Sequence, residues 1–434
     1  MLKRKKYHEL EQWKSESNRR ALLVTGARQV GKTFLIREFA RHNYEHFVEL
    51  NFISNRMAAK VIEDATNTKD LMTRLSILAN KQMVPGKTLL FLDEVQKCKE
   101  IVTAIKFLVE QQDYDFILSG SLLGVELKDI RSVPVGYLGT LEMFPLDFEE
   151  FCWANGVSVD TFSHVREAFY NKQQLPDYMH EHFMNLFYNY LLVGGMPASV
   201  SEYVSSHNMQ IVRNLQKDIH NLNRSDISQY AGTDTLAVKD IYDQMPSQLN
   251  KENKRFEMNI LGEHARFRRY ENRFLWLVDA GVALPCFQVN EPKYPLMLNK
   301  SPNRFKLYFN DVGLLTSTFG RGDFLHMLDK PGRVNFGSTY ENIVAQELVA
   351  HGVKPYYYSK RKFGEVDFVL DASFGKTMLI EVKSGTDFIR HKTLTKLLDV
   401  ADYSFCDAMV FCESNVQFCA EVTYLPIYMI SCVE

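Results

Sequence analysis

The 434-residue sequence has no strong charge imbalance and no long apolar run. Its formal net charge is only −2, so the charge of the whole chain identifies no partner, and any nucleic-acid surface must be a local patch. No apolar run reaches the roughly 18 residues that are needed to span a membrane. We therefore expect no membrane partner.

Cysteine-pair motifs, internal repeats and low-complexity linkers are also missing. The seven cysteines form no C-x-x-C pair and no Cys/His cluster with zinc-ligand spacing, and such a scattered set is typical of reduced, mostly buried thiols. The basic start is followed by no apolar core, so it does not resemble a secretory signal. These features predict a cytoplasmic protein, and the length predicts about two to four domains.

The strongest motif is GARQVGKT at residues 26–33, which fits the phosphate-binding pattern G-x-x-x-x-G-K-[ST]. The apolar run 21–25 before it predicts a buried strand, and apolar residues at helical spacing follow it. In this setting the loop N–H groups and the helix N-terminus face the phosphates. We expect Lys32 to reach the β- and γ-phosphates and the Thr33 hydroxyl to bind Mg²⁺. The predicted nucleotide-binding residues are Gly26, Ala27, Arg28, Gln29, Val30, Gly31, Lys32 and Thr33.

A second apolar run, residues 88–92, ends in Asp93 and Glu94. This pattern predicts a central parallel strand that delivers Asp93 to Mg²⁺ and Glu94 to the attacking water, the groups that phosphoryl transfer requires. The alternative is that the two acids only cap the next helix. A strand between the Gly-rich loop and the acidic strand, predicted at 47–52, favours nucleotide hydrolases with a catalytic Glu over simple kinases.

The strand predicted at 115–119 ends in hydroxyl-bearing residues. We expect Ser119 to sense the γ-phosphate, with Ser121 as the second choice; a Ser-Gly-Ser turn without that role fits nearly as well. Residues 140–146 are expected to close the sheet. From about 150 to 230 the aromatic and apolar residues follow helical spacing and predict a helical lid.

Residues 231–330 are predicted to form short helices followed by two strands, at 283–289 and 305–309, which favours a winged helix. Arg266, Arg269 and Arg273 would share one helix face and contact phosphates, on DNA or on bound nucleotide. The alternative is a solvated face, because this region holds 14 Lys and Arg against 12 Asp and Glu, a net charge of +2.

Four residues near the C-terminus follow the PD-(D/E)XK nuclease pattern. Glu341 lies on an apolar helix stripe, and Asp367, Glu381 and Lys383 lie on two strands that alternate with period two. We expect Glu341, Asp367 and Glu381 to hold Mg²⁺ or Mn²⁺, and Lys383 to orient the attacking water. Residues 331–434 carry 10 Lys and Arg against 13 Asp and Glu, so their net charge of −3 leaves little basic surface for DNA.

With these motifs the chain resembles the AAA-type ATPases of bacteria and archaea that carry a winged helix and a C-terminal restriction-endonuclease-like domain. The resemblance covers essentially the whole chain and rests on the segments 25–33, 92–96, 119–121, 145–151 and 194–197. It implies ATP rather than GTP, which the residues alone do not decide. Relatives often place an Arg just before the 145–151 segment, but residues 133–139 contain none, so no arginine finger is identified.

We therefore expect an α/β fold: a P-loop AAA-type domain at 1–150, a helical lid at 151–230, a winged helix at 231–330 and a nuclease-like domain at 331–434. The expected function is Mg²⁺-dependent ATP hydrolysis coupled to a C-terminal half that acts on or senses nucleic acid, with DNA, a homo-oligomer or another protein as partner. The alternative is a nucleotide-gated binding switch whose nuclease-like domain is an inert docking module.

Overall fold

A computed structural model describes residues 2–16, 20–120, 136–262, 265–320, 322, 337–385, 388–419 and 421–434. The chain divides into two compact units. The N-terminal unit comprises Lys3–Phe144 together with Asp279–Gly281, and the C-terminal unit comprises the remaining residues. Ser121 and residues 133–135, which the sequence analysis considered, lie outside the described residues.

The N-terminal unit contains a five-stranded sheet in which every paired strand is parallel. The strand order is β2-β3-β4-β1-β5. Its elements are α1 (Lys6–Ser15), β1 (Ala21–Thr25), α2 (Lys32–Asn43), β2 (His46–Asn51), α3 (Arg56–Glu63), α4 (Thr68–Ala79), β3 (Thr88–Asp93), α5 (Lys99–Glu110), β4 (Asp115–Ser119) and β5 (Leu138–Glu142).

Burial explains why the central strands appear in the sequence as continuous apolar runs. All six residues of β3 are buried, as expected for a parallel strand that is covered on both faces. The predicted acidic strand and the closing strand β5 are both present. As predicted, β2 lies between the Gly-rich loop and β3 along the chain, but in the sheet it lies at the edge, and β4 is the strand between β1 and β3.

The C-terminal unit begins with helices and ends in a mixed sheet. Its helices are α6 (Phe148–Ala154), α7 (Val159–Asn171), α8 (Asp177–Val193), α9 (Pro197–Ser206), α10 (Met209–Tyr230), α11 (Thr235–Leu249), α12 (Phe267–Asp279), α13 (Val312–Ser317), α14 (Gly337–Ala350) and α15 (Lys392–Leu398). Its strands are β6 (Ala283–Val289), β7 (Lys300–Phe309), β8 (Tyr356–Lys360), β9 (Gly364–Asp371), β10 (Thr377–Val382), β11 (Phe405–Cys412), β12 (Gln417–Cys419) and β13 (Val422–Pro426).

The eight strands form one sheet in the order β12-β13-β11-β10-β9-β8-β6-β7. Strands β6 and β7 pair antiparallel, as the wing of a winged helix would, but β6 also pairs with β8. The predicted wing is therefore part of the same sheet as the C-terminal strands. The helices α11 and α12, within the predicted range 231–330, precede this hairpin, and their assignment to a winged helix stays a prediction.

Two consecutive glycines join α8 to α9. Gly194 has φ +70°, and a Cβ on it would overlap the carboxylate of Asp311, while a Cβ on Gly195 would overlap the carbonyl oxygen of Leu146. The space is needed because Asp311 Oδ2 accepts a hydrogen bond from Gly195 N at 2.6 Å and Oδ1 caps α13 at Leu314 N. The Gly-Gly segment is therefore a close-packed backbone joint.

No helix among the described residues is long and apolar enough to cross a membrane.

Candidate functional site

The phosphate loop connects β1 to α2, and its conformation depends on both motif glycines. Gly26 has φ +129°, and a Cβ there would overlap the carbonyl oxygen of Met143. Gly31 has φ +95° and is the N-cap of α2. A side chain at either position would be strained, so the backbone path along the loop requires glycine at both. Gln29 also has a positive φ, of 64°.

The remaining loop residues fix the position of the loop. Ala27 and Val30 are buried, whereas Arg28 is partly buried and Gln29 is exposed. The carbonyl oxygen of Val30 accepts a hydrogen bond from Arg4 Nη1 at 2.8 Å, and the other terminal nitrogen of Arg4 donates to Phe144 O at 2.6 Å. One guanidinium near the start of the chain thus ties the phosphate loop to the segment after β5.

Lys32 lies at the start of α2 with its ammonium turned back into the loop. Its Nζ donates to Gly26 O at 2.9 Å and to Ala27 O at 2.7 Å. Burial lowers the pKa of Lys32 to about 8, although Glu94 and Asp93 oppose that shift. Because both acids act on the same ammonium, the loop and the end of β3 belong to one electrostatic site.

Asp93 is the centre of this site. It ends β3 and is only 3% exposed. Its Oδ2 accepts from Asn51 Nδ2 at 2.9 Å and lies 3.4 Å from Thr33 Oγ1. Its Oδ1 accepts from Ser119 Oγ and from the backbone N–H of Glu94, the latter at 3.1 Å. The arrangement places the carboxylate and hydroxyl oxygens of Asp93 and Thr33 together, and these are the hard oxygen ligands that Mg²⁺ takes.

Glu94 follows Asp93 in a left-handed conformation with φ 59°. Its Oε2 accepts a hydrogen bond from Gln96 Nε2 at 2.5 Å. A non-glycine residue held in this region is strained, and such strain is concentrated at functional sites. The turn separates the Glu94 carboxylate from that of Asp93, so that each has its own partners.

Two residues of this site were missed by the sequence analysis, Asn51 and Gln96. Asn51 ends β2 beside the last residue of β3, with which it is in register. The rule that selected Asp93, a polar residue at the carboxyl end of a parallel strand, would have selected Asn51 as well. Gln96 lies in a short 3₁₀ turn after Glu94, and its role depends on the backbone turn, which leaves no sequence signal.

In the C-terminal unit, two of the four residues of the nuclease-like pattern, Glu341 and Asp367, contact one buried lysine that the sequence analysis missed. Lys306 of β7 is fully buried, and its Nζ lies 3.0 Å from Glu341 Oε2, 2.7 Å from Glu365 Oε1 and 3.9 Å from Asp367 Oδ1. Burial favours the neutral amine, but Glu341 and the other carboxylates raise the pKa of Lys306 well above its usual range. Lys306 is therefore a fixed positive charge among three acids.

Glu341 is bound by two cations, although in the sequence it stands alone as a carboxylate on an apolar helix stripe. Besides Lys306, its Oε2 accepts from Tyr308 OH at 2.9 Å, and its Oε1 lies 2.7 Å from Lys254 Nζ. Burial alone would raise its pKa, but Lys306 and Lys254 lower the pKa of Glu341 to about 2. Both carboxylate oxygens thus already have charged partners within the protein.

Asp367 and Glu381 each lie near one lysine among the described residues, whereas Glu341 has two. Burial raises the pKa of Asp367 well above its usual range, and Glu341 and Glu381 add to the effect. Burial also raises the pKa of Glu381, although Lys383 Nζ lies 2.7 Å from its Oε1. The other oxygen of Glu381, Oε2, is buried without a hydrogen-bond partner among the described residues. These two carboxylates are the ones that a divalent cation would stabilise.

The strand register brings these residues together as the alternation requires. Strands β9 and β10 pair antiparallel with Leu379 opposite Val369, and Val382 N donates to Asp367 Oδ2 at 2.8 Å. The face that carries the acids is not solvated, however. Val369 and Leu379 are both fully buried and belong to the same hydrophobic cluster as residues of α15.

The arginine cluster at the start of α12 is only partly available. The helix begins at Phe267, so Arg266 precedes it, and Arg266, Arg268 and Arg269 are exposed. Arg273 is partly buried, and its guanidinium lies 2.9 Å from Asp234 Oδ1. One of the three residues of the predicted stripe is therefore engaged in an ion pair inside the unit.

A further buried group in the C-terminal unit consists of Asp147, Glu347 and His351. One ligand atom from each lies within 4.8 Å of the others. His351 Nε2 is 3.2 Å from Asp147 Oδ2, and Asp147 also caps α6 at Glu150 N. The capping bond and the ion pair account for this group as a structural network that joins α6 to α14.

Three regions of the chain match family models. Residues 18–152 match a family described as an AAA domain. Residues 184–324 and 336–430 match families described as domains of unknown function, DUF8612 and DUF4143. The N-terminal match, together with the parallel sheet and the phosphate loop, identifies a P-loop domain of the AAA type. A search of curated proteins found no match.

Several solved structures are similar to this chain at low identity. A Walker-type ATPase of Pyrococcus abyssi is 14% identical with a TM-score of 0.44, over 73% of this chain and 95% of that one. The Orc1 protein of Aeropyrum pernix in complex with DNA is 14% identical with a TM-score of 0.26, over 71% and 90%. The Drosophila ORC bound to DNA is 14% identical with a TM-score of 0.28, over 76% and 95%.

Proposed function

We propose that this protein binds ATP with Mg²⁺ at the phosphate loop and hydrolyses it. The observation that carries the proposal is the position of Asp93, whose two carboxylate oxygens contact groups from three other segments: Thr33, Asn51 and Ser119. When bound, Mg²⁺ neutralises charge that develops on the phosphates. Thr33 and Asp93 supply its protein ligands in this proposal, and their oxygen atoms suit that ion.

The neighbouring residues divide the remaining tasks. Lys32 holds the β- and γ-phosphates as a positive charge, and the loop N–H groups surround them. Glu94 is the general base that orients and polarises the attacking water, with Gln96 fixing its carboxylate. Ser119, the last residue of β4, donates a hydrogen bond to Asp93. A movement of Asp93 in response to the γ-phosphate is therefore transmitted to the end of β4 through this bond. ATP is preferred to GTP on the resemblance to AAA-type ATPases.

The ATPase proposal is tested with two variants and a matched control. Lys32→Ala should abolish nucleotide binding, and Glu94→Gln should bind ATP normally but lose turnover by at least about 100-fold, the size of a general-base contribution. Glu100→Gln removes an exposed carboxylate six residues further along and should hydrolyse ATP like the wild type. Steady-state phosphate release and equilibrium binding of a fluorescent ATP analogue measure the two quantities. Wild-type turnover by Glu94→Gln would refute the assignment.

For the C-terminal unit we propose a nuclease-like centre that acts on nucleic acid, with a winged helix within residues 231–330. The proposal is supported by the grouping of Asp367, Glu381 and Lys383, which lie together beside the buried carboxylate of Glu341. Asp367 and Glu381 would hold Mg²⁺, and Glu341 would join them only after it separates from Lys254 or Lys306. Lys383 would orient water at the scissile phosphate, whose reaction the cation would assist by neutralising charge.

The partners of Glu341 favour a second function, the inert docking module of a nucleotide-gated switch. Lys306 and Lys254 already neutralise Glu341, so this acid needs no divalent cation to be held in the centre. A nuclease assay on plasmid and single-stranded DNA, with Mg²⁺ or Mn²⁺ and with or without ATP, decides between the two. Cleavage that is lost in Asp367→Ala and Lys383→Ala but kept in the exposed control Lys376→Ala supports the nuclease. No cleavage under any condition supports the docking module.

A further inference from the structure

The C-terminal unit contains a cleft of about 300 Å³ whose lining is strongly basic. Among the described residues of the lining, Arg255, Arg304, Lys360 and Arg361 contribute four positive charges and Glu365 contributes one negative charge. These residues come from three separate parts of the sequence: the segment before α12, strand β7, and the turn from β8 to β9. The sheet therefore builds a charge cluster that a count over residues 331–434 does not reveal.

The four cations of the cleft are not neutralised by ion pairs in the part of the chain that the structure describes. None of them forms an ion pair with any residue that the structure describes, and the carboxylate of Glu365 is bound to the buried Lys306 at 2.7 Å. Like charges gathered in one cleft repel each other, and a cleft lined by one sign of charge concentrates oppositely charged ligands. The cleft thus has the electrostatic character of an anion site.

The floor of the cleft is rigid and polar. The buried side chain of Gln288 donates to Ser359 O at 2.8 Å and accepts from Tyr357 OH at 3.4 Å. These bonds tie β6 to β8 beneath the cations, so the distances between the charged segments are set by the sheet. Arg304 and Arg361 are exposed, and Arg255 and Lys360 are partly buried.

The cleft is next to the carboxylate centre. Glu365 lines the cleft and also contacts Lys306, which in turn contacts Glu341 and Asp367. Arg255 directly follows Lys254, whose ammonium holds Glu341. A ligand in the cleft is therefore separated from the residues proposed for catalysis by one ion pair, the one between Glu365 and Lys306.

We propose that this cleft binds the phosphodiester backbone of a nucleic-acid strand and delivers it to the carboxylate centre. The inference rests on the proposed function of that centre and adds the residues that hold its substrate. A single guanidinium can bind two oxygens of one phosphate. Four cations from three segments are therefore more than one small anion requires, and they suit several phosphates along a chain. Contacts of this kind are independent of base sequence.

The test is binding of a fluorescein-labelled single-stranded 20-mer to the full-length protein, followed by anisotropy at several salt concentrations. Arg304→Glu/Arg361→Glu should weaken binding at least 30-fold at 100 mM salt. Two lost phosphate contacts should reduce the slope of log K against log salt by about 1.4, given about 0.7 per contact on a single strand. Lys362→Glu, an exposed charge reversal beside Arg361 but outside the cleft lining, should bind within twofold of the wild type.

The controls separate this inference from the proposed nuclease activity. All variants should retain the wild-type unfolding transition of the C-terminal unit in calorimetry, which shows that this unit folds. Binding that depends on Arg304 and Arg361 without any cleavage by the wild type refutes the nuclease and leaves the cleft assignment standing. Unchanged binding by Arg304→Glu/Arg361→Glu overturns the cleft assignment. Equal competition by a polyglutamate peptide would assign the cleft to an acidic polypeptide and overturn it too.

Discussion

Replacing Lys306 with methionine removes the positive charge at the middle of the carboxylate centre. Three carboxylates, those of Glu341, Glu365 and Asp367, lie within 3.9 Å of its Nζ, and the side chain is fully buried. Breaking a buried ion pair from one side costs about 3–5 kcal/mol, because the remaining charge stays buried and uncompensated. We expect Lys306→Met to lower the free energy of unfolding of the C-terminal unit by that amount.

The neutral partner of Glu341 provides the matched control. Tyr308→Phe removes one hydrogen bond to a charged group but no charge, and should cost about 1.5–3 kcal/mol. Lys306→Met/Glu341→Gln removes the pair together and should recover part of the loss, because replacing both partners of a buried pair costs less than removing one. Differential scanning calorimetry is the suitable assay, since it does not require the two units to unfold in one step.

The same variant reports on cation binding. If the acids accept a divalent ion in place of the lysine, Mn²⁺ at about 100 times its dissociation constant should stabilise Lys306→Met by about 2.7 kcal/mol, and EDTA should reverse the effect. A Lys306→Met protein as stable as the wild type would refute the role of Lys306. A destabilised protein that does not respond to Mn²⁺ would show that the centre accepts only its own lysines, as the docking module requires.

Three further predictions concern the other contacts. Asn51→Ala deletes the amide that bonds Asp93 at 2.9 Å and should lower kcat for ATP about 10-fold in a steady-state assay, with nucleotide affinity in EDTA unchanged. Gly195→Ala places a Cβ against the carbonyl of Leu146 and should lower the Tm of the C-terminal unit by several degrees in calorimetry. Burial raises the pKa of Asp311 from 3.8 to about 6, so the folded state binds its proton more tightly and stability from this group falls as pH rises between these values. The unfolding free energy of the wild type minus that of Asp311→Asn should therefore fall by about 2 kcal/mol from pH 4 to pH 6.5.

The N-terminal site was largely predictable because its determinants are local in sequence. The loop from Gly26 to Thr33 and the acids after β3 each lie within one short segment, and strand burial gives the apolar runs around them. The neighbour relation between Ser119 and Asp93 is different. It exists because β4 is inserted between β1 and β3, and the order of strands in a sheet does not follow from their order in the chain.

The C-terminal centre was predictable only in part for the same reason. Alternation placed Asp367 and Glu381 on adjacent strands, but Lys306 and Lys254 come from segments that the sequence analysis assigned to another domain. Nothing near Lys306 in the sequence indicates that β7 joins the C-terminal sheet. The alternation did not reveal that α15 covers the sheet on the face that carries the acids, so that Val369 and Leu379 are buried alongside them.

The charge balance of the carboxylate centre links it to the basic cleft. Four acids, Glu341, Glu365, Asp367 and Glu381, meet three lysines, Lys254, Lys306 and Lys383, a formal charge of −1 that a proton on Asp367 would cancel. A divalent cation is therefore accommodated only when a lysine or a proton leaves. Of the two lysines that contact Glu341, Lys254 is the less buried, and its sequence neighbour Arg255 lines the cleft. A phosphodiester bound at Arg255 in the proposed cleft would therefore contact the residue next to Lys254, the lysine that holds Glu341 Oε1 at 2.7 Å.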